Sequence, residues 1–353
     1  MRLKETNKFD VDLFERFRIT KEFGFLEVSP LQKLSPEFQP WIDACAKIPE
    51  WIKNGTIREN LHELPEISTD SLKSHEEFRF AHLLLCTMET AFVWGFGEER
   101  ATSILPRQLA VPLYEVSKRL DVPPVVAHLT GCLANWRKID GNGPWEPENL
   151  ELIAFNFSEL RGEHWFFVLT AQIEKDFAAA IHKIAEICLK VEKLEVINEE
   201  ELVSTLRQMR ISIREATNTL KRMPEHLKPS DFFYKVRPFL WGYNEGSIKE
   251  TGIIFEGLEH LGALKCNGGS AAQSSAMHIF DEFLGIEHQG KSKEFLLEQR
   301  LSMPVPHRNL IKWVSEFTPL KQMKHLDEYR EVIETVKNFR SGHIRTVSWG
   351  EGL

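Results

Sequence analysis

Val332, Val336, Phe339 and His343 stand at i, i+4, i+7 and i+11 near the end of the chain. On a helix, that spacing makes one apolar stripe that finishes in an imidazole. Such an imidazole has two uses. It can be a core histidine satisfied by a carbonyl, the commoner fate of a lone His on an apolar face. In an apolar pocket it can instead bind a metal or a haem iron through a neutral ring nitrogen. Arg340 lies about one turn earlier, where a guanidinium could pair with a propionate.

A second group is Gly268-Gly269-Ser270-Ala271-Ala272-Gln273-Ser274-Ser275. Glycines followed by small hydroxyl residues suit an anion at a helix N-terminus. They also suit the close approach of a flat ligand. No strand pattern precedes them, and neither GxGxxG nor GxxxxGK[ST] is present, so the phosphate reading lacks its context. Gly95-Phe96-Gly97 has no third glycine and is weaker still.

Phe232 and Arg237, in Asp-Phe-Phe-Tyr-Lys-Val-Arg, could clamp a ligand that carries both a ring and a carboxylate, because Arg offers a two-pronged donor. The plain alternative is a surface Arg beside core Phe. His278 and His288, with Asp281 and Glu282 between them, have the composition of a two-histidine, one-carboxylate iron site. Their spacing matches no compact motif.

The elements that must carry these groups read as helices. Ser35-Pro36 starts one segment and Asn54-Gly55 closes it. Ser74 to Trp94 is apolar around most of its circumference, which predicts a buried helix. Further helices are expected over Leu109–Leu120, Val125–Trp136, Trp165–Leu194, Glu199–Arg222, Ala272–Leu284, Ser292–Leu301 and Leu320–Val347. Pro224 to Pro238 reads as irregular, Glu151 to Phe157 is the one strand candidate, and Gly252 to Phe255 is too short to assign. The class is all-α. Asp140 to Pro147 is dense in turn formers and divides the chain into a small N-terminal helical domain, 1–150, and a larger C-terminal one, 151–353.

Composition excludes several classes. The chain has 353 residues, 44 basic and 52 acidic, and the basic ones are interleaved with Glu. That disfavours a nucleic-acid surface. The longest apolar run, around Ala81 to Gly95, is too interrupted to span a membrane. The five cysteines are scattered without a CxxC pair, which argues against a disulfide framework and a structural zinc site. With a polar, charged N-terminus in place of a signal peptide, a reducing cytoplasmic setting is expected. Twenty-four Phe and nine Trp against four Tyr give aromatics suited to cores and to pockets for flat apolar ligands.

Several blocks in one order resemble the indoleamine 2,3-dioxygenase family. They are Leu105-Pro106-Arg107 with Leu109-Ala110-Val111-Pro112, Leu133-Ala134-Asn135-Trp136, and Asp231-Phe232-Phe233 leading to Arg237. The glycine-serine block with Phe280-Asp281, Met303-Pro304-Val305-Pro306-His307-Arg308-Asn309, and Arg340-Ser341-Gly342-His343 complete the series. They span about two thirds of the chain. The glycine-serine and Met-Pro-Val-Pro-His-Arg-Asn blocks are the most specific.

The resemblance implies a haem enzyme that holds haem b, ferrous when active, on His343. It would insert dioxygen across the indole C2–C3 bond of L-tryptophan or a related indole to give N-formylkynurenine. Arg340 and Asp281 match an ion pair on the proximal side. Ser270 and Ala271 match the pocket wall, with Gly269 beside them. Phe166, Phe232 and Leu240 match residues packed on the indole ring, and Phe166 also borders the haem. Arg237 matches the partner of the substrate carboxylate, and Thr170 falls where the family often has a distal serine. An electron donor and a monomeric state are implied as well. A same-fold enzyme for another indole, or a haem-binding sensor without turnover, are the alternatives.

Two departures from the family stand out. His128 replaces a common Tyr, and Gly131-Cys132 replaces Cys-Val; all three are expected to face the inner pocket. At the other end, Gly350-Glu351-Gly352 stands where relatives continue through a glycine- and threonine-rich lid, so this sequence lacks that lid or stops short of it.

Overall fold

A computed structural model describes residues 8–348; the Gly350-Glu351-Gly352 stretch lies outside them. Fourteen α-helices are present among the described residues: α1 (Lys8–Phe17), α2 (Gln39–Asn54), α3 (Ile57–His62), α4 (His75–Trp94), α5 (Arg107–Leu120), α6 (Arg161–Asp176), α7 (Ala178–Glu192), α8 (Glu199–Lys221), α9 (Pro229–Asp231), α10 (Ser275–Leu284), α11 (Gly290–Arg300), α12 (Val305–Phe317), α13 (Leu320–Met323) and α14 (Asp327–Ser348). Four two-residue strands make two small pairs. Ile104–Leu105 (β1) runs parallel to Ile254–Phe255 (β4), and Arg137–Lys138 (β2) antiparallel to Leu150–Glu151 (β3). The all-α expectation holds.

The chain forms two compact units. Among the described residues, one comprises 8–28, 169–223 and 274–348; the other comprises 29–168 and 224–273. The division expected near residue 150 falls inside the second.

In the second unit, α4 is the central element. Ser74 accepts from the Glu77 N–H while the Glu77 carboxylate accepts from the Ser74 N–H, a capping box that fixes where the helix starts. From Arg79 to Trp94 every residue is buried, as a helix apolar on all sides requires. α2, α3 and α5 pack around it. Gly55 ends α2 with φ +72, a left-handed conformation that glycine adopts without a Cβ penalty.

In the first unit, α7, α8 and α14 pack together, and α12 packs on α7 and α10. Asn198 starts α8 with a second capping box, to Glu201. The Met-Pro-Val-Pro-His-Arg-Asn block begins α12. Pro304 is its N-cap, and the buried His307 ring lies 4.4 Å from that of Phe25. This block therefore serves helix initiation and packing.

Five expectations need correction. Leu320–Val347 is two helices, α13 and α14, broken between Met323 and Asp327. Trp165–Leu194 is two helices, interrupted at Phe177, whose ring is edge-on to Phe280 and Phe339. Val125–Trp136 is no regular helix but a single π-turn, Leu129–Leu133. The strand candidate Glu151–Phe157 shrinks to Leu150–Glu151, because Asn135 captures the backbone that follows. Pro224–Pro238 is a series of short helical turns.

Candidate functional site

In the first unit, the stripe on α14 forms as its spacing demands. Val332, Val336 and Phe339 are buried, and His343 is half-buried on the last turns. Removal from water pushes the His343 imidazole below its ordinary value, because burial penalises the charged ring. It is therefore neutral near pH 7, the form that offers a lone pair.

Three residues before it, Arg340 Nη2 donates to both oxygens of Asp281, at 2.8 and 2.7 Å. Asp281 comes from α10 and is 6% exposed, so the pair is held with little water to screen it. A third group joins. His288 Nε2 lies 2.8 Å from Asp281 Oδ2. His288 thus partners the ion pair, a role that spacing along the chain does not reveal.

The same contacts remove the two-histidine, one-carboxylate reading. His278 Nδ1 accepts from Arg300 Nε at 3.0 Å, and the same arginine binds Glu282 at 2.6 Å. Among the described residues, no group of three or more His, Cys, Asp or Glu could hold a metal ion.

In the second unit, the aromatic residues form a layered wall. The Phe166 and Phe232 rings are 5.1 Å apart and tilted by 40°. Phe167 stands edge-on to Phe166 and to Phe155 behind it, and Phe157 stacks on Phe239 at 4.2 Å. Asn135 of the Leu-Ala-Asn-Trp block sets this layer. Its Oδ1 accepts from the N–H groups of Ile153, Ala154 and Phe155, and its Nδ2 donates to Phe155 O. One buried amide thereby saturates a loop that has no ladder of its own. Glu163, in the first turn of α6, holds the next stretch by accepting from Phe157 N–H at 2.7 Å and from the Ser158 hydroxyl.

Gly131 shows why the π-turn is built as it is. A Cβ there would lie 3.1 Å from Phe167 Cε1, so the missing side chain admits that ring. His128 and Cys132, on the same turn, are both buried. Thr170 follows Phe166 by four residues on α6, so the two share a helix face. Arg237 begins the turn Arg237–Leu240, half-buried, with its guanidinium 5.3 Å from the Phe233 ring centroid.

The glycine-serine block proves to be two things. Gly268 is a packing glycine: a Cβ on it would collide with Leu240 O and Gly242 N, and one on Gly242 with Cys266 O and Gly268 N. The neighbouring Gly269 is not so confined, since its nearest contact would be Leu240 Cδ2 at 3.5 Å. Gly269 N–H donates to Leu240 O at 2.8 Å. Ser270 Oγ accepts from Ala272 N–H, closing the turn that begins Ala271–Gln273.

Gln273 is the residue that sequence reasoning passed over. Its Oε1 accepts from His128 N–H at 2.8 Å and Ser270 N–H at 3.3 Å, and its Nε2 donates to Gly268 O at 2.8 Å. One buried side chain joins the glycine block to the His128 turn. A polar residue inside a run of small ones was the only signal. A separate cavity of about 620 Å³, beside Phe9, Lys183 and Lys190, contains none of these residues.

A family model described as indoleamine 2,3-dioxygenase matches residues 13–349. The chain belongs to that family. Indoleamine 2,3-dioxygenase 2 of Mus musculus is 35% identical over 342 residues, 94% of this chain and 83% of the relative. Indoleamine 2,3-dioxygenase 1 of Rattus norvegicus is 33% identical over 345 residues, covering 95% and 84%. A protein named myoglobin from Haliotis madaka is 28% identical over 350 residues, 96% and 89%. Family membership makes this chain an oxidoreductase of the dioxygen-incorporating type.

The described residues fit a haem on one count of donor chemistry. His343 offers a neutral, half-buried nitrogen at the end of an apolar stripe, beside an arginine already oriented by Asp281. Among the described residues, no helix is long and apolar enough to cross a membrane.

Proposed function

We propose that this indoleamine 2,3-dioxygenase family member is a haem-dependent enzyme that inserts dioxygen across the indole C2–C3 bond of L-tryptophan or a related indole, giving N-formylkynurenine. The family match over residues 13–349 is the observation that carries the reading. When bound, haem b would supply the ferrous iron chemistry that activates dioxygen, which requires an electron donor.

His343 would hold the iron through its neutral imidazole. The Arg340–Asp281 pair would fix the last turns of α14 and with them the ring. Ser270 and Ala271, with Gly269, would form the wall. Phe166, Phe232 and Leu240 would pack on the indole, and Arg237 would pair with the substrate carboxylate. Thr170, His128 and Cys132 would line the remaining pocket, His128 as a hydrogen-bonding partner for the indole N–H. The work of these groups is to orient the ring and exclude water rather than to move a proton, which is why apolar side chains and one cationic anchor suffice.

The test is the ultraviolet–visible spectrum of purified protein with and without L-tryptophan, followed by turnover with reductant and dioxygen. A Soret band and accumulating formylkynurenine are expected. A second reading, a haem carrier or sensor without turnover, is favoured by the relative named myoglobin. It predicts the Soret band with no product from any indole.

A further inference from the structure

Gln273 is 2% exposed, and both polar atoms of its side-chain amide are bonded to backbone. Its backbone N–H donates to Ser270 O at 2.9 Å, while its Oε1 accepts from Ser270 N–H at 3.3 Å. The side chain thus folds back over its own turn in the reciprocal manner of a helix cap. The same oxygen accepts from His128 N–H at 2.8 Å, and Nε2 donates to Gly268 O at 2.8 Å. Both lone pairs of Oε1 are therefore in use. Only one orientation of the amide serves all three partners. Reversed, the NH2 group would face two N–H donors and the oxygen would face a carbonyl.

The two stretches that Gln273 joins also touch. A Cβ on Gly269 would lie 3.9 Å from the Ala127 carbonyl carbon, so the glycine block runs directly beside the start of the His128 turn. Further along, the turn is held from other sides. Arg79 Nη2, on α4, donates to Leu129 O at 3.1 Å, and Asn135 Nδ2 donates to Gly131 O at 3.4 Å. Those bonds fix the turn against α4 and the aromatic layer. The bond from His128 to Gln273 sets where the turn begins relative to the glycine block. Sliding either stretch past the other would leave a buried donor or acceptor unpaired.

We propose that Gln273 is a positioning residue for substrate: its amide locks the His128 turn to the Gly269–Ser270 stretch at one separation, and that separation determines which indole rings are accepted. It acts through His128 and Ser270, and the consequence for substrate rests on the reading of those residues as pocket wall.

The experiment compares the parent with Gln273→Met, which keeps the length without the hydrogen bonds, and Gln273→Glu, which keeps the acceptor and replaces the donor. Readouts are amide hydrogen exchange at 128–130 and 268–270, with α8 as control, and kcat and KM for L-tryptophan and 5-methyl-L-tryptophan. Gln273→Met should speed exchange of the His128 and Ser270 amides about tenfold, as loss of a buried hydrogen bond implies, and leave α8 unchanged. It should raise KM for L-tryptophan about fivefold with less than about a twofold change in kcat, and alter the kcat/KM ratio between the two substrates by at least about threefold. Gln273→Glu should keep those two amides within about twofold of the parent, because its oxygen still accepts from both. If Gln273→Met does not fold, Gln273→Ala takes its place. Exchange unchanged in Gln273→Met overturns the lock, and so does a Gln273→Glu protein that exchanges as fast. Faster exchange with KM and substrate preference unchanged overturns the positioning role. A parent that turns over no indole would refute the proposed reaction alone; calorimetric binding of the same two tryptophans, with the same expected weakening and altered preference, then decides the role of Gln273.

Discussion

Gly242 and Gly268 cross with their backbones in contact: a methyl group on either would strike the main chain of the segment that carries the other. Two segments with a turn between them and a shared hydrogen bond to Leu240 leave no room for Cβ at the crossing. Gly268→Ala should therefore destabilise the protein by about 1–3 kcal/mol, the usual range for overpacking. Gly269→Ala should cost less than about 1 kcal/mol and act on tryptophan binding instead. Urea unfolding of the two variants checks the first statement, and KM the second. Equal destabilisation by both would contradict the division of labour.

Asp281 gathers Arg340 and His288. Asp281→Asn removes the charge and one of the two oxygens that Arg340 and His288 share, and should lower stability by about 2 kcal/mol, less than the about 3–5 kcal/mol for breaking a fully buried pair, because Arg340 is partly exposed. The same variant should release haem faster. His288→Gln, which keeps a donor to Asp281, should preserve both properties; stopped-flow haem transfer to an acceptor protein is the readout.

Glu163 should make stability decline as pH rises from about 4.5 to about 7. Burial pushes Glu163 up to about 7 from an ordinary 4.5. The folded protein thus keeps a proton that the unfolded chain releases near 4.5. The stabilisation is complete below that value and is lost as pH climbs from there to about 7, at most about 1.4 kcal/mol per pH unit. Glu163→Gln should remove up to one proton from this slope and leave the variant ~3 kcal/mol more stable than the parent at pH 8. A slope of unchanged steepness in thermal melts from pH 5 to 7 would rule out Glu163 as a source.

On the acid side the sign reverses. Burial lowers His82 to about 3 from 6.5, so below 6.5 the unfolded chain takes up a proton that the folded protein refuses. The His82 contribution to stability should fall from pH 6.5 toward 3, opposing that of Glu163 between 4.5 and 6.5. His82→Asn should reduce that slope by about one proton, measurable as the pH dependence of the urea midpoint.

Arg237→Ala should raise KM for L-tryptophan about 10- to 100-fold, the value of a charge-assisted hydrogen bond, with a smaller change in kcat. His343→Ala should abolish the Soret band of the purified protein. Tryptophan kinetics unchanged in the first variant, or a full haem complement in the second, would each remove the residue from its proposed role.

Local rules in the chain already determined most of the helices. Ser74 with Glu77 and Asn198 with Glu201 announce their capping boxes, and Gly55 its left-handed stop, because those bonds close within one turn. The stripe from Val332 to His343 was legible for the same reason: a helix converts spacing directly into a face. Short-range pattern could not reveal breaks made by distant packing. Phe177 interrupts a continuous apolar pattern where its ring meets Phe280 and Phe339, and residues 125–136 give up regular helix where Phe167 fills the space above Gly131. The glycine-serine block suggested close approach to a ligand. Tertiary structure decided that Gly268 is small for the backbone of Gly242, and that Gln273 ties the block to the His128 turn. Those partners come from segments that only the folded chain brings within hydrogen-bonding distance, and no periodicity along the sequence encodes them.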